Sequence, residues 1–242
     1  MNEQLQPEVK ISHESLPNGA LEGTHELIQG LIKELESSRE QGGIEDIGID
    51  YRIPAKAVLE KFPKQVAVMV ALSSPGSNIG QGLLNPEKTH LVVGRRSPER
   101  AWGGGTWALP MGKIELKDVA ESKQSLGEVI AKAAFREFDE EVKADKAAGQ
   151  QIVAGSFQDT KTETIIHVVL RTIGENRTGN DNLEVKLPDA REHEALGWIS
   201  LEGTGKLQPM MPGTAYALKV GLTYLDQRNR EVKASGRYQD QI

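Results

Sequence analysis

From Ser125 to Ala144 the chain reads SLGEVIAKAAFREFDEEVKA, and the second half of this stretch restricts the fold more than any other segment. Read as a helix at about 100° per residue, it places Glu137, Glu140 and Glu141 within one arc, because residues three and four apart are neighbours on a helix surface. Ala131, Phe135, Phe138 and Val142 form an apolar stripe beside that arc, and Lys132, Asp139 and Lys143 take the remaining side. Carboxylates this close repel one another unless a cation neutralises them. Hard divalent ions such as Mg²⁺ and Mn²⁺ prefer oxygen ligands and are commonly held beside substrate phosphates. Arg136 reaches Glu140 at i+4 and holds it in one orientation. A solvated acidic helix face is the competing reading of the same residues.

The residues upstream decide between the two. LPMGKIE occupies 109–115, and Glu128 stands eight positions before Arg136. Together with Arg136-Glu137-Phe138-Asp139-Glu140-Glu141 they resemble the Nudix box of the Nudix hydrolases, G-x5-E-x7-R-E-U-x-E-E-x-G-U with U apolar. Gly112, Glu128, Arg136, Glu137, Phe138, Glu140, Glu141 and Ala144 fill the pattern in order. Three departures accompany the match. Fifteen residues separate Gly112 from Glu128 where the pattern has five, so about ten are inserted after Glu115. The frequent double glycine is Met111-Gly112, and the glycine after the glutamate pair is Lys143. Loops absorb added length at low entropic cost, and the insertion keeps every carboxylate. Its composition, with Lys117, Asp118, Glu121, Lys123 and Gln124, reads as a mobile solvated loop at the rim of the site.

The resemblance implies an α+β fold, an α/β/α sandwich with a mixed sheet between helices, over roughly residues 64–227. It implies hydrolysis of the diphosphate linkage in a nucleoside diphosphate joined to another group, such as a nucleotide sugar or ADP-ribose. Glu137, Glu140 and Glu141 would hold Mg²⁺ or Mn²⁺ together with a backbone carbonyl at Met111 or Gly112. Glu128 would assist from the helix start, as ligand or as a structural hydrogen-bond partner, and Arg136 would orient a carboxylate. The segment Arg191-Glu192-His193-Glu194-Ala195-Leu196-Gly197-Trp198 is similar to a late segment of many family members. There Glu192 or His193 would be the general base or a further metal ligand; a charged surface turn is the plainer reading. The alternative to an enzyme is a catalytically weakened module of the same family that binds or senses a nucleotide. An isomerase on the same fold would need a catalytic cysteine, and the chain has none.

Other candidates have only their residue type behind them. Arg95 and Arg96 suit substrate phosphates, but adjacent strand residues point to opposite faces, so at most one serves. Trp102 and Trp107 suit base stacking or, more commonly, core packing. Gly103-Gly104-Gly105 precedes a strand candidate at 106–109 and reads as a plain turn. His167, in mid-strand, reads as a packed or surface histidine.

The rest of the chain frames this centre. Residues 1–63 hold twelve of the 35 acids and six of the 29 bases, leaving twenty-three of each for 64–242, so the whole net charge of −6 sits on an N-terminal extension. No basic block points to a long nucleic acid, while a small nucleotide-derived substrate stays open. No apolar run reaches membrane-spanning length and no secretory signal stands at the start, so the expectation is a cytoplasmic protein with no membrane partner. Thr24 caps a helix over 25–39, whose stripe of Leu27, Ile28, Leu31, Ile32 and Leu35 packs either on the main domain or on a second subunit as a homodimer. Pro54 opens a short helix to Phe62. Strands are expected at 65–72, 90–95, 151–157, 164–172 and 195–200, a closing helix at 214–227, and a polar tail at 228–242.

Overall fold

The computed structural model describes residues 20–37, 43–73, 89–101, 103–121, 123–142, 151–173, 193–211 and 213–234. Trp102, Lys143, Ala144, Arg191 and Glu192 lie outside the described residues. In chain order the elements are α1 (Ala20–Ser37), β1 (Ile44–Asp46), α2 (Ala55–Lys61), β2 (Gln65–Ser73), β3 (His90–Arg96), β4 (Trp107–Ala108), β5 (Met111–Lys113), α3 (Leu126–Val142), β6 (Gln151–Asp159), β7 (Thr164–Ile173), β8 (His193–Ser200) and α4 (Thr214–Ala234). Single 3₁₀ turns at Leu116–Asp118 and Leu201–Lys206 complete the path.

β2 is the axis of the sheet. Its run QVAVMVAL is apolar on both faces, and a strand covered on both sides needs that. Val68, Val70 and Leu72 point to one core with α1 and α4, while Ala67, Met69 and Ala71 point to the other with α2 and α3. The result is a sheet between two helical layers, the α/β/α sandwich expected from the sequence. The strand order is β1-β6-β7-β2-β3-β4, with β5 also on β2 and β8 also on β3. β2 runs parallel to β7 and antiparallel to its other neighbours, so the sheet is mixed. The second edge of β2 is shared: Leu72 and Ser73 pair with β3, whereas Val66, Ala67 and Val68 pair with β5. The sheet therefore forks beside β2, and α3 lies over the β5 branch.

α3 buries Leu126, Val129, Ile130, Ala133, Ala134, Phe138, Glu141 and Val142. Of the apolar stripe drawn through Ala131, Phe135, Phe138 and Val142, the last two are buried and the first two only half-buried, so the contact face is wider than that stripe and centred to one side of it. Ile130, Ala134 and Glu141 share one buried line at i, i+4 and i+11, with half-buried Glu137 on it at i+7, so Glu141 belongs to the packing face and does not lie beside it. At the helix start, the backbone N–H groups of Leu126 and Gly127, which have no partner within a helix, donate to the carbonyls of Ile53 (2.8 Å) and Tyr51 (2.9 Å).

α1 begins at Ala20, four residues ahead of the position expected for its cap, and its stripe is covered within the chain. Ile28, Leu31, Ile32 and Leu35 join the core with Leu218, Leu222 and Leu225 of α4. Asp226, 1% exposed on α4, accepts from Gln29 Nε2 (3.1 Å), meets His25 Nδ1 at 2.6 Å and pairs with Arg230 at 3.1 Å. Of the two places open to the stripe, the structure shows the chain's own domain. α4 itself runs on to Ala234, past the expected end at Gln227.

Candidate active site

The C-terminal half of α3 sits against β5. Gly112 pairs with Ala67 across the sheet, and paired residues in an antiparallel ladder point the same way. These two small residues leave the space that Glu137 enters. A Cβ built on Gly112 would lie 1.8 Å from Glu137 Cδ, so the carboxylate rests where any other residue would carry a side chain. Burial pushes the Glu137 carboxyl up from its ordinary range, with Arg136 opposing the shift. Glu141 is 7% exposed on the same buried line, and Glu140, at 61%, faces outward.

Gly112→Ala is expected to displace Glu137 without unfolding the protein, because the side chain that must move is flexible. The rate of hydrolysis should fall by roughly tenfold to a hundredfold, as when a group supporting a metal site is lost. Steady-state kinetics alongside a thermal melt would show it; an unchanged kcat/KM would mean that Glu137 has no need of that seat.

Arg136 links the acids. Its Nε donates to Asp118 Oδ1 at 3.1 Å, and its Nη2 donates to Asp118 Oδ2 at 3.2 Å and to the Lys113 carbonyl at 3.0 Å. Its Nη1 donates to Glu137 and lies 3.7 Å from Glu140 Oε1. Burial works against the guanidinium charge, yet Asp118 and Glu137 more than offset it and the pKa of Arg136 is raised. Among the described residues no three His, Asp or Glu side chains converge as a ready-made metal cluster. The positive charge among the α3 carboxylates is that of Arg136.

The segment expected to be a mobile loop is tied down at both ends. Asp118 is 2% exposed, and Glu115 and Asp118 cap the 3₁₀ turn reciprocally, with the Glu115 N–H donating to Asp118 Oδ2 at 2.8 Å. Lys132 Nζ donates to the Asp118 carbonyl at 3.1 Å. At the far end Ala55 N–H donates to the Gln124 carbonyl at 2.9 Å. Leu116, Lys117, Ala120, Glu121 and Lys123 between them are exposed, in keeping with their composition. Five residues separate Gly112 from Asp118, so the acid that meets Arg136 stands at the short spacing of the sequence pattern, and the extra length follows it.

Glu128 takes the structural alternative offered for it. Its Oε2 accepts from the Ser125 N–H at 2.9 Å and from Ser125 Oγ at 2.7 Å, a capping box at the start of α3, and these bonds hold its carboxyl below the ordinary value.

By alternation along β3, Val92 and Gly94 face α3 while Leu91 and Val93 face the α1–α4 layer; the register with β8 slips between Arg95 and Arg96, and Arg96 pairs there with His193, which sits over Gly94. Arg96 thus shares a sheet face with the carboxylate helix. Arg95 is held by Glu194 (2.9 Å) and the Gly105 carbonyl (3.2 Å). His193 is 3% exposed and seated on Gly94, whose built Cβ would meet its Cδ2 at 2.5 Å. It therefore lies on the α3 side of the β3–β8 pair. Met111 turns its side chain into the α1–α4 core, and Trp107 packs at the edge of that core. Gly103 and Gly105 adopt positive φ in the β3–β4 turn, where Arg96 and Thr106 close the hairpin, which is the plain turn expected of them.

The burial of Asp118 and the strand at Met111–Lys113 escaped the sequence reading. Asp118 carries the signal of its spacing from Gly112, and β5 carries none, since three residues are too few for a pattern.

A family model described as NUDIX domain matches residues 79–219, which is 141 of the 242 residues. Solved structures similar to this chain include a MutT protein from Methanosarcina mazei Go1 at 22% identity and TM-score 0.41, covering 69% of this chain and 94% of that one. A NUDIX hydrolase from Alicyclobacillus acidocaldarius aligns at 17% identity and TM-score 0.45, covering 71% and 95%. The NUDIX domain of Shewanella oneidensis NrtR, solved with ADP ribose, aligns at 12% identity and TM-score 0.45, covering 66% and 87%. Comparison with curated proteins gives no match. No helix among the described residues is long and apolar enough to cross a membrane. With more than half of its length matched by the domain model, on a sandwich whose central helix bears the acids of the box, the chain belongs to the Nudix family.

Proposed function

We propose that this protein hydrolyses the diphosphate linkage of a nucleoside diphosphate joined to another group, such as a nucleotide sugar or ADP-ribose, with Mg²⁺ or Mn²⁺ as cofactor. The seating of Glu137 on Gly112, one turn of helix before Glu140 and Glu141, carries this reading. The donor set is all carboxylate oxygen, which suits a hard divalent ion, and the missing Cβ at Gly112 lets carboxylate and backbone oxygens share one small space. Glu137, Glu140, Glu141 and the carbonyls at Met111 or Gly112 would hold the ion. When bound, the ion neutralises diphosphate charge and acidifies water.

The chain's own groups do the rest. Arg136 fixes the direction of Glu137. Arg96, on the sheet face that α3 covers, is the candidate for a substrate phosphate, whereas Arg95 is engaged with Glu194 on the other side. Water attacks phosphorus as the bond to the bridging oxygen breaks, and its proton passes to a carboxylate of α3. His193 is too enclosed to be first choice as base, with its ring filling the space over Gly94. The opposing reading, a module that binds without cleaving, draws on the pairing of Arg136 with both Glu137 and Glu140.

A hydrolysis screen of nucleotide sugars, ADP-ribose, dinucleoside polyphosphates and nucleoside triphosphates, each with Mg²⁺ or Mn²⁺, tests the proposal. Turnover of a diphosphate-linked compound that EDTA abolishes is the expected outcome. Tight binding with no turnover in any of them would favour the second reading.

A further inference from the structure

Of the N–H groups in the first turn of α3, that of Glu128 goes to Ser125 Oγ (3.4 Å), and those of Leu126 and Gly127 leave the helix for the carbonyls of Ile53 and Tyr51. Residues 51–55 therefore cap α3 from outside. They run antiparallel to 124–127, with Pro54 bridged to Ser125 and the Ala55 N–H on the Gln124 carbonyl at 2.9 Å. This strap precedes the matched domain, and the proposed chemistry gives it no task. We infer that the strap is the stop that fixes α3 along its own axis, and that Tyr51 is the positioning residue through which it places the α3 carboxylates. The inference rests on the proposed role of those carboxylates.

Two kinds of contact hold α3. Val129, Ala133 and Phe138 keep it on the sheet by apolar burial, which is non-directional and resists lifting more than sliding. Hydrogen bonds demand both a length and an angle, so the bonds at the helix start are what resist sliding. Those bonds are as firm as the strap, and the strap is pinned by a side chain. Tyr51 OH meets Ser156 Oγ on β6 at 2.7 Å, and Ser156 Oγ meets His167 Nδ1 on β7 at 2.7 Å. Tyr51 also lies close against the helix: a Cβ built on Gly127 would meet Tyr51 Cβ at 3.2 Å and the Tyr51 carbonyl oxygen at 3.4 Å. Ten residues on, about 15 Å along the axis, Glu137 occupies the seat that the missing side chain of Gly112 provides. Over three turns the helix moves as one body, so a shift at the strap arrives at Glu137. The stop at one end thus sets the fit at the other.

Binding of Mn²⁺ alone, followed by the loss of the free-ion signal in electron paramagnetic resonance, reads this placement without substrate. Tyr51→Phe keeps the ring and removes the pin, and should raise the Kd for Mn²⁺ by about threefold to tenfold, the scale of one hydrogen bond. Ser156→Ala removes the pin from the other end, so adding Tyr51→Phe to it should weaken binding no further. Gly127→Ala forces strap and helix apart by a few tenths of an ångström and should weaken binding although alanine favours the helix, so it serves as well if Ser156→Ala fails to fold. Leu222→Ala, in the core on the other face of the sheet, lowers stability without touching the strap and should leave the Kd unchanged while the protein is folded. Unchanged affinity in Tyr51→Phe would overturn the inference. So would an equal weakening in Leu222→Ala, because general loosening of the fold would then account for it. Absence of Mn²⁺ binding by the unaltered protein would overturn the assignment of the α3 carboxylates, and this inference with it.

Discussion

Glu141→Gln should lower the rate of diphosphate hydrolysis by about a hundredfold or more while leaving the protein folded. The two halves of this expectation have one cause. Glu141 stands on the packing face of α3, 7% exposed, where Ile130 and Ala134 precede it on the same line. A buried carboxylate is held in a fixed place by the packing around it, and an isosteric side chain can take that place. Glutamine has the same shape and no charge, so the substitution keeps the packing and removes a cation ligand in one step. Glu140→Gln, at an exposed position, should lose comparable activity with no change in stability. Kinetics with Mg²⁺ and a denaturant titration on each variant separate the two effects. Near-normal turnover in both would sink the assignment of this helix as the site of chemistry.

Acidification should destabilise the protein through one histidine. His167 on β7 is fully buried; its Nδ1 meets Ser156 Oγ at 2.7 Å and its Nε2 meets Gln65 Oε1 at 2.8 Å. Ser156 Oγ in turn meets Tyr51 OH at 2.7 Å, and Gln65 Nε2 donates to the Phe62 carbonyl at 2.7 Å. This chain of bonds fixes the direction of Gln65, so Nε2 of His167 carries the proton and Nδ1 accepts. A second ring proton has no acceptor to go to, and burial lowers the pKa from 6.5 to about 3. The unfolded chain binds that proton near pH 6.5 and the folded chain does not. Stability is therefore complete above pH 6.5 and falls as pH drops from there towards about 3. At one pH unit per 1.36 kcal/mol, the loss between pH 7.5 and 5 is about 2 kcal/mol from this residue. Denaturant titrations at the two values should show that loss in the unaltered protein and a much smaller one in His167→Gln, which has no group to titrate. Equal pH dependence in both would mean that other groups govern acid sensitivity.

Much of this architecture is written in local pattern, and the parts that are not share a reason. β2, β3, β6, β7 and β8 announce themselves by apolar or alternating runs, and the boundaries in the structure differ from the expected ones by a few residues. β1 and β5 have three residues each, and only their partners in the sheet define them. The helix of acids was legible as a helix, but its faces were not. Charge and apolarity suggested separate sides, whereas Glu141 is buried on the line that packs and Glu137 is half-buried on Gly112. A periodicity argument assigns carboxylates to water by default, and a site that keeps them inside defeats that default. Composition likewise assigned Asp118 to a solvated loop; its burial follows from Arg136, eighteen residues downstream, and no local reading contains that partner. Choosing Glu128 for its spacing to Arg136 hid the fact that Asp118 has the right spacing from Gly112. The structure separates the two acids by what they touch.

The contact between α1 and α4 has a consequence during synthesis. His25 and Asp226 are 201 residues apart in sequence, and the apolar stripe of α1 is covered by a helix translated at the other end of the described chain. At typical elongation rates of about 5–20 residues per second, α1 waits on the order of 10–40 s outside the ribosome before its covering helix emerges. For that interval Ile28, Leu31, Ile32 and Leu35 have no α4 to bury them, a length of time ample for capture by a chaperone. The nascent chain thus carries its own timer, set by the length of chain between the two helices.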